Sequence, residues 1–254
     1  MTLYSDAAHL YDLAFSWDVS AEVDWLLERF GEECAPVLEP ACGSGRLLAG
    51  FGRRGIEAVG IDNAPAMVRL ANERLQRERL PAVAVVADMS DFDLDRQFGG
   101  AFSAVDSLAY LRGRAQLVRH LECVAQHLRA GSRYLVQLDL RDPDHPWQEV
   151  RASAWESERD GVRVRTTWRV EDIDLENGVE LHRARIDCLS GHEAGRVLEE
   201  VHHMAAWTPE RWARAIAATP FAYHAVYDGN EASRPQREVG TSGRLLWHEL
   251  ALAP

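Results

Sequence analysis

Residues 35–140 alternate between short apolar runs and amphipathic helical patterns. The apolar runs that predict buried strands cover residues 35–40, 56–61, 82–87, 101–105 and 132–140. The helical patterns between them cover residues 46–54, 64–79 and 114–129, and Gly131 is expected to stop the last helix. Strands that alternate with helices in this way predict right-handed crossovers and a mostly parallel sheet with both faces covered.

The pattern changes after residue 150. Between residues 162 and 171, mostly apolar positions alternate with mostly charged ones, which is the period of a half-exposed strand. Asn177-Gly178 follows and is a strong signal for a tight hairpin turn. Residues 179–188 and 197–205 predict two further strands, so we expect an antiparallel insertion in this part of the chain.

The α/β pattern returns at Thr208-Pro209-Glu210, where a capping residue precedes proline at the first helical position. Two closing strands are predicted at 221–227 and 244–251, and an N-terminal helix at 20–30. The expected fold is α/β, with a doubly wound, mostly parallel seven-stranded sheet and an antiparallel β insertion after strand 5. The expected units are a helical lead-in or lid at 1–33, a core at 34–142 and 207–254, and a β cap at 143–206.

Composition and charge narrow the range of partners. The chain of 254 residues has 28 basic and 40 acidic side chains, a net charge of −12, which opposes a broad phosphate-binding surface for nucleic acid. Every basic residue is arginine, which excludes Schiff-base and lysine-base chemistry. The four scattered cysteines indicate free thiols, and no apolar run reaches the roughly 20 residues of a membrane span. With no basic segment before an apolar run at the N-terminus, a cytoplasmic protein is expected.

The segment Glu39-Pro40-Ala41-Cys42-Gly43-Ser44-Gly45 holds the clearest chemical signal. A buried strand runs into small residues and glycines that permit a tight turn and the close approach of a ligand. A dinucleotide site would have a third glycine, but Arg46, Leu47 and Leu48 follow Gly45. Glu39 would repel a pyrophosphate and suits the ammonium group of a zwitterion.

After Glu39, two more acidic residues follow at the ends of predicted strands. Asp62 ends the second strand, about 20 residues past the glycines, where a carboxylate can bind a ribose diol. Asp88-Met89 ends the third strand, where an adenine ring would lie. Each has an alternative interpretation, since Asp62 could cap the helix near Ala64 and Asp88 could be a surface turn residue.

With these residues, and with Ala104-Val105-Asp106-Ser107 after the fourth strand, the chain resembles the class I S-adenosylmethionine-dependent methyltransferases of the small-molecule type. The resemblance implies a Rossmann-like core and S-adenosyl-L-methionine as cofactor. It assigns Glu39 and the backbone of Ala41, Cys42, Gly43 and Gly45 to the methionine part, Asp62 to the ribose, and Asn63 and Met67 to the adenosine. It further assigns Asp88 and Met89 to the adenine, and Asp106 to the methionine end.

The residues that would contact the methyl acceptor, on what is here called the acceptor side of the site, are less clearly indicated. Methyl transfer depends mainly on placing the acceptor atom about 3–3.5 Å from the methyl group in a dry site, so a dedicated catalytic residue is not required. The candidates are Tyr11, which with Asp12 matches a Tyr-Asp pair of this family that closes over the cofactor, Tyr110, and His9 as a base. Packing roles for the tyrosines and a solvated position for His9 are the alternatives.

The hypothesis is a methyltransferase that acts by in-line transfer on a nitrogen or oxygen of a small molecule, with no metal. A small-molecule substrate is the expected partner, without nucleic acid or membrane, and a homodimer is the one protein assembly considered. A nicotinamide-dependent oxidoreductase and a non-catalytic binding protein are the alternatives. The arginines at 163, 165, 169, 183 and 185 could bind an anion, but a solvated outer face with acidic partners is favoured.

Overall fold

The structure is a computed structural model that describes residues 2–147, 152–229 and 231–253. The helices are α1 (Ala8–Ala14), α2 (Ser20–Phe30), α3 (Arg46–Gly52), α4 (Pro65–Glu78), α5 (Arg114–Gln126) and α6 (Pro209–Ile216), with a 3-10 helix at Ser107–Tyr110. The main-sheet strands are β1 (Val37–Pro40), β2 (Ala58–Asp62), β3 (Ala82–Val86), β4 (Phe98–Ser103), β5 (Leu128–Leu140), β10 (Phe221–Asp228), β11 (Gln236–Arg237) and β12 (Gly243–Leu252). The remaining strands are β6 (Ser153–Arg159), β7 (Val162–Asp174), β8 (Val179–Cys188) and β9 (Val197–Ala205).

The main sheet has the order β11-β10-β12-β5-β4-β1-β2-β3. Strands β1 to β5 pair in parallel, and β12 lies antiparallel between β5 and β10. The α/β prediction is confirmed, and the seven expected strands are joined by the two-residue β11 at one edge. The strand order reverses between β1 and β4, so their carboxyl ends open the crevice where such sheets bind ligands.

Burial explains why the central strands are continuous apolar runs. All four residues of β1 are buried, and Val37 and Leu38 are fully inaccessible in the core. Helices on both faces leave no solvated side for polar residues, which is typical of a parallel sheet. Glu39 is the exception in this strand, a buried acid next to its last residue.

The insertion is a four-stranded antiparallel sheet with the order β6-β7-β8-β9, here called the cap sheet. Its inner face packs on α1, where Leu10 and Leu13 meet Val164 and Ile186. The predicted outer face with acidic partners is confirmed for Arg165, Arg169, Arg183 and Arg185, which pair with acids on the same or neighbouring strands. These pairs are Arg165–Glu156, Arg169–Glu171, Arg183–Glu171, Arg183–Glu199, Arg185–Asp187 and Arg185–Glu199.

One local expectation was wrong, and one strand was not predicted. Gly131 does not stop α5, because the helix ends at Gln126 and β5 already begins at Leu128. Gly131 lies inside that strand with φ 76°, where the pairing of β4 with β5 is irregular. The sequence also gave no prediction for β6, whose short and mostly exposed pattern lacks a continuous apolar face.

Candidate active site

A tight turn joins β1 to α3. Ala41, Gly43 and Gly45 have φ values of 58°, 52° and 71°. A Cβ atom on Gly45 would lie 2.8 Å from the Cβ of Ala71 in α4, so this position needs glycine for space as well as for its left-handed backbone. The turn therefore brings bare backbone to the carboxyl end of the sheet.

Asp62 connects the end of β2 to this turn. Its two carboxylate oxygens accept hydrogen bonds from the backbone N–H groups of Gly43, at 2.8 Å, and of Ala64, at 2.9 Å. Burial raises the pKa of Asp62, and these two hydrogen bonds offset part of that rise. The bond to Ala64 closes a turn that leads into α4 and is not a helix cap, because Ala64 is itself the N-cap residue and α4 has no side-chain cap hydrogen bond. Asp62 also lines the cavity between the sheets.

Asp88, the third of the acidic residues predicted at strand ends, lies in a turn after β3. One oxygen of Asp88 accepts hydrogen bonds from the backbone N–H and the hydroxyl of Ser90, both at 2.8 Å. The carbonyl oxygen of Met89 is 2.7 Å from Nδ1 of His120 in α5. These contacts fix the turn and hold Asp88 and Met89 at the same end of the sheet as Asp62.

Glu39 and Arg46 leave polar atoms unpartnered beside the turn. Glu39 is 4% exposed, and its Oε2 has no hydrogen-bond partner in the described part of the chain. Burial raises the pKa of Glu39 well above its ordinary value, although the positive charge of Arg46 acts in the opposite direction. Nη1 of Arg46 is also buried and has no hydrogen-bond partner among the described residues, and its guanidinium lies 4.1 Å from the ring centroid of Trp17. A ligand that carries both an ammonium and a carboxylate group would satisfy both side chains.

A cavity of about 1010 Å³ lies between the strand ends and the cap sheet. The predicted site residues that line it are Tyr11, Ala41, Gly43, Asp62, Asn63, Asp88, Met89, Asp106 and Tyr110. The structure therefore brings Asp62, Asp88 and Asp106, the glycine turn and two of the catalytic candidates to one space.

Other predicted site residues do not belong to the described lining of this cavity: Glu39, Cys42, Gly45, Met67 and His9. Cys42 and Met67 are buried in the core, and a Cβ atom on Gly60 would lie only 2.6 Å from the sulfur of Cys42. His9 is exposed, with its Nε2 2.6 Å from a carboxylate oxygen of Glu193 on the cap. The geometry gives His9 a surface contact and does not bring it to the acceptor side.

Three tyrosines cluster on the acceptor side. The hydroxyl oxygens of Tyr4 and Tyr110 are 2.7 Å apart, and the rings of Tyr4 and Tyr11 pack edge to face with centroids 5.0 Å apart. Burial raises the pKa of Tyr11 to about 12, and it also raises the pKa values of Tyr4 and Tyr110. The phenols are therefore protonated near neutral pH, so they can position groups but cannot act as phenolate bases.

The cap sheet contributes cavity residues that the sequence analysis missed. Trp168 of β7, His182 of β8 and His202 of β9 line the cavity, and the two histidines are direct partners in the strand register. The neighbours His202 and His203 face opposite sides of β9, with His202 buried and His203 exposed. The strand alternation alone could have placed all three rings on one face.

Charged groups also meet at the junction of β5 and the cap. One carboxylate oxygen of Asp106 accepts a hydrogen bond from the backbone N–H of Asp139 at 3.0 Å. Burial, and then the charge of Asp139, raise the pKa of Asp106 well above its ordinary value. Arg141 forms two hydrogen bonds to Glu180, at 2.9 and 2.6 Å, and both side chains are buried. This ion pair fastens the end of β5 to the cap sheet.

No group of three or more histidine, cysteine, aspartate or glutamate side chains in residues 2–147, 152–229 and 231–253 could hold a metal ion. Within the same ranges, no helix has the length and apolar character that crossing a bilayer demands.

Known proteins that are similar to this chain are methyltransferases. Residues 37–131 match a family model described as a methyltransferase domain, a segment that contains the glycine turn and the three acidic strand ends. A relative from Streptomyces venezuelae, named dTDP-3-amino-3,4,6-trideoxy-alpha-D-glucopyranose N,N-dimethyltransferase, is 27% identical over 226 residues, which cover 84% of this chain and 89% of that protein.

Solved structures share the whole architecture. The crystal structure of Streptomyces venezuelae DesVI has a TM-score of 0.77 at 21% identity and covers 98% of this chain and 99% of its own. The S-adenosylmethionine-bound structure of CalS10, an amino pentose methyltransferase from Micromonospora echinaspora, has a TM-score of 0.74 at 18% identity and covers 100% of this chain and 99% of its own. At these identities, the likeness shows a common fold. Its coverage of the chain includes the cap sheet and the N-terminal lead-in.

Proposed function

We propose that this S-adenosylmethionine-dependent methyltransferase, which acts on a small-molecule acceptor, methylates the amino group of a nucleotide-linked amino sugar. The observation that carries the proposal is that one cavity is lined both by the cofactor turn and by the aromatic and acidic side chains of the acceptor side. The name of the Streptomyces venezuelae relative supports the choice of an amino sugar.

The residues beside the turn fit the cofactor. In this proposal, the unpartnered oxygen of Glu39 accepts the ammonium of the methionine part, and Arg46 binds its carboxylate. Asp62 binds the ribose hydroxyls, and Asp88 accepts from the adenine amino group. The cofactor supplies an activated methyl group on sulfur, so the protein needs only to align the acceptor and exclude water.

The walls of the acceptor side suit a cationic amine on an otherwise polar molecule. The acids Asp106, Asp139 and Glu200 line the cavity and favour a positive charge there. Tyr11 and Tyr110 supply the flat, partly apolar surfaces that pack on a sugar ring. An amine acceptor needs only to lose a proton before attack, which agrees with phenols that remain protonated.

Arginines of the same cavity suit a diphosphate. Arg112, Arg234 and Arg244 line it, and Nε of Arg234 is buried without a hydrogen-bond partner in the described part of the chain. Guanidinium groups bind phosphate oxygens through directed pairs of hydrogen bonds. We therefore place the nucleotide of the acceptor toward these arginines and its amino group toward the tyrosines.

The parts of the chain then have distinct tasks in the proposal. Residues 1–33 act as a lid that brings Tyr11 over the bound cofactor. Residues 34–142 and 207–254 form the cofactor-binding core, and residues 143–206 form the cap that closes the acceptor side. Contact of α1 with both β6 and β7 supports a lid and cap that move together.

Turnover on defined acceptors tests the proposal. The purified protein is incubated with S-adenosylmethionine and a panel of dTDP-linked sugars that carry an amino or only hydroxyl groups at each ring position. We expect S-adenosylhomocysteine release and a mass increase of one and then two methyl groups with an amino sugar alone. Methylation of the hydroxyl sugars, or no product from any amino sugar by folded protein that binds S-adenosylhomocysteine, would reject the amino-sugar assignment.

A further inference from the structure

Three rings of the cap sheet form an ordered group on the wall of the acceptor side. The ring of Trp168 stacks on that of His202, with centroids 4.9 Å apart and an interplanar angle of 16°. His182 faces His202 across the strand pair β8–β9. Stacking and strand pairing together fix the orientation of the His202 ring.

His182 has both ring nitrogens engaged. The indole Nε1–H of Trp168 donates to Nδ1 of His182 at 2.9 Å, which leaves the hydrogen of the neutral ring on Nε2. That Nε2–H donates to Glu180 at 2.8 Å, and Glu180 is paired with Arg141. His182 therefore acts as part of a buried structural network and has no nitrogen left for a ligand.

His202 differs from His182 in the hydrogen bonding of one ring nitrogen, Nε2. Its Nδ1 is 3.0 Å from the hydroxyl oxygen of Tyr110, but its Nε2 is buried with no hydrogen-bond partner in the described part of the chain. The residue is 4% exposed and lines the cavity. An unsatisfied buried polar atom costs about 1–3 kcal/mol, so a ring held rigidly in this state points to a ligand that completes it.

We propose that Nε2 of His202 is the group that receives the proton of the acceptor ammonium, an inference that rests on the proposed amine methylation. The N–H bond of the ammonium breaks, its electron pair stays on nitrogen as a lone pair, and the proton forms the new N–H bond at Nε2. The lone pair then forms the N–C bond to the methyl carbon while the bond from that carbon to the sulfonium sulfur breaks, and the sulfur keeps that electron pair in the departing S-adenosylhomocysteine. When product leaves, the imidazolium returns this proton to water through the open side of the cavity. The same step precedes the second methyl transfer.

Tyr110 and Tyr4 are positioning residues in this arrangement. For Nε2 to carry a lone pair, the hydrogen of the neutral ring sits on Nδ1 and donates to the hydroxyl oxygen of Tyr110. The hydroxyl of Tyr110 then donates to the oxygen of Tyr4, 2.7 Å away. This chain of bonds accommodates the tautomer of His202 that can act as a base.

The surroundings of His202 favour its neutral form before the acceptor binds. The titratable groups around it are Glu200 on its own strand, His182 on β8, Tyr110 on the 3-10 helix and Tyr4 in the lead-in. Burial lowers the pKa of His202, Glu200 raises it, and His182 lowers it. The ring is therefore unprotonated at neutral pH, and activity should be lost only when pH falls below the ordinary histidine pKa of about 6.5.

Variants at His202 test whether its side chain acts as a base or only forms hydrogen bonds. His202→Asn keeps a polar group near Tyr110 and loses Nε2, whereas His202→Gln keeps a polar group near Nε2 that does not titrate. We expect both to lower kcat at least about 100-fold, with the KM for S-adenosylmethionine and the affinity for S-adenosylhomocysteine unchanged, and to abolish the acid limb of the pH profile. His192→Gln, an exposed histidine of the cap outside the cavity lining, is the matched control and should leave both intact.

The outcomes distinguish this inference from the proposed function. If the wild type methylates an amino sugar and His202→Gln keeps its kcat and its acid limb, the proton acceptor is wrong and the proposed function stands. If the wild type methylates no amine at all, both fail. Should the variants not fold, ¹⁵N NMR of labelled wild type with bound S-adenosylhomocysteine decides, since a hydrogen on Nε2 of His202 instead of Nδ1 would overturn the inference.

Discussion

The carboxylate of Asp12 accepts a hydrogen bond from the hydroxyl of Ser44 at 2.6 Å, which joins helix α1 to the turn after β1. Arg74 of α4 and Arg159 of β6 bind the same carboxylate, at 2.5 and 2.7 Å. Burial raises the pKa of Asp12, but the charge of Arg74 and the hydrogen bonds from Ser44 and Arg159 outweigh it and hold the pKa below its ordinary value. One buried acid thus connects the lead-in, the cofactor turn, the core and the cap.

Asp12→Asn should weaken both folding and cofactor binding. Asparagine removes the charge that balances two arginines, and a buried pair broken in this way costs about 3 kcal/mol of unfolding free energy. With Tyr11 no longer held over the cavity, we expect at least about a tenfold rise in the Kd for S-adenosylhomocysteine by calorimetry. Glu73→Gln, an exposed acid on α4, is the control, and an unchanged Kd for Asp12→Asn would contradict the link between α1 and the turn.

Glu39→Gln should have opposite effects on stability and on binding. Because the folded pKa of Glu39 is raised, the unfolded chain ionises first as pH rises through its ordinary value, and the folded state loses stability there. Glutamine removes this penalty, so the ligand-free variant should melt at a higher temperature at pH 7.5. Its affinity for S-adenosylhomocysteine should fall about tenfold or more, because the ammonium loses its charged partner.

The comparison with Glu57→Gln controls for a general effect of charge. Glu57 is exposed and paired with Arg96 on the surface, so its replacement should change neither quantity. A ligand-free Glu39→Gln variant that melts at a lower temperature than wild type would show that this carboxylate already has a partner in the free protein.

Asp62→Ala should abolish stabilisation by ligand. For the wild type, S-adenosylhomocysteine at about 100 times its Kd should add roughly 2.7 kcal/mol to the unfolding free energy and raise the Tm. Removing the carboxylate deletes the proposed ribose contact and the anchors of Gly43 and Ala64, so the Tm shift should vanish. Asp95→Ala, an exposed acid outside the cavity lining, should keep the full shift, and a shift preserved in Asp62→Ala would refute the ribose assignment.

His248 should make the fold sensitive to mild acid. Its Nε2–H donates to the Leu138 carbonyl at 3.1 Å and its Nδ1 accepts from the Tyr223 hydroxyl at 2.6 Å, so the neutral ring is fully satisfied. Burial lowers the pKa of His248 to about 4. The unfolded chain therefore takes up a proton first as pH falls below about 6.5, and roughly 2 kcal/mol of unfolding free energy should be lost by pH 5.

Urea unfolding at pH 7.5 and pH 5 measures this loss. His248→Asn should show a smaller difference between the two pH values than wild type, because no imidazole is left to titrate at this position. His224→Asn, an exposed histidine on β10, should keep the wild-type difference. Equal differences in wild type and His248→Asn would show that other groups carry the acid sensitivity.

Local patterns were sufficient for much of the fold. The capping prediction at Thr208 is confirmed, because its side chain accepts a hydrogen bond from the backbone N–H of Arg211. The strands at Val179–Cys188 and Val197–Ala205 begin and end at the predicted residues. Such features depend on neighbours along the chain, whose spacing the sequence states directly. The methyltransferase hypothesis came from the same source, since the glycine turn and the acidic strand ends are short motifs.

Only the tertiary structure decided which side chains share a space. It leaves His9 on the surface beside Glu193, and it brings Tyr4 to Tyr110 across more than a hundred residues. The unpartnered Nε2 of His202 exists because β9 pairs with β8 and packs over the loop after β4, contacts between segments far apart in the chain. The sequence by itself determined most of the elements, with β6 an exception, and the cofactor motif, because these follow from local periodicity and turn chemistry. The acceptor side follows from how two sheets and the lead-in pack together, which no local pattern encodes.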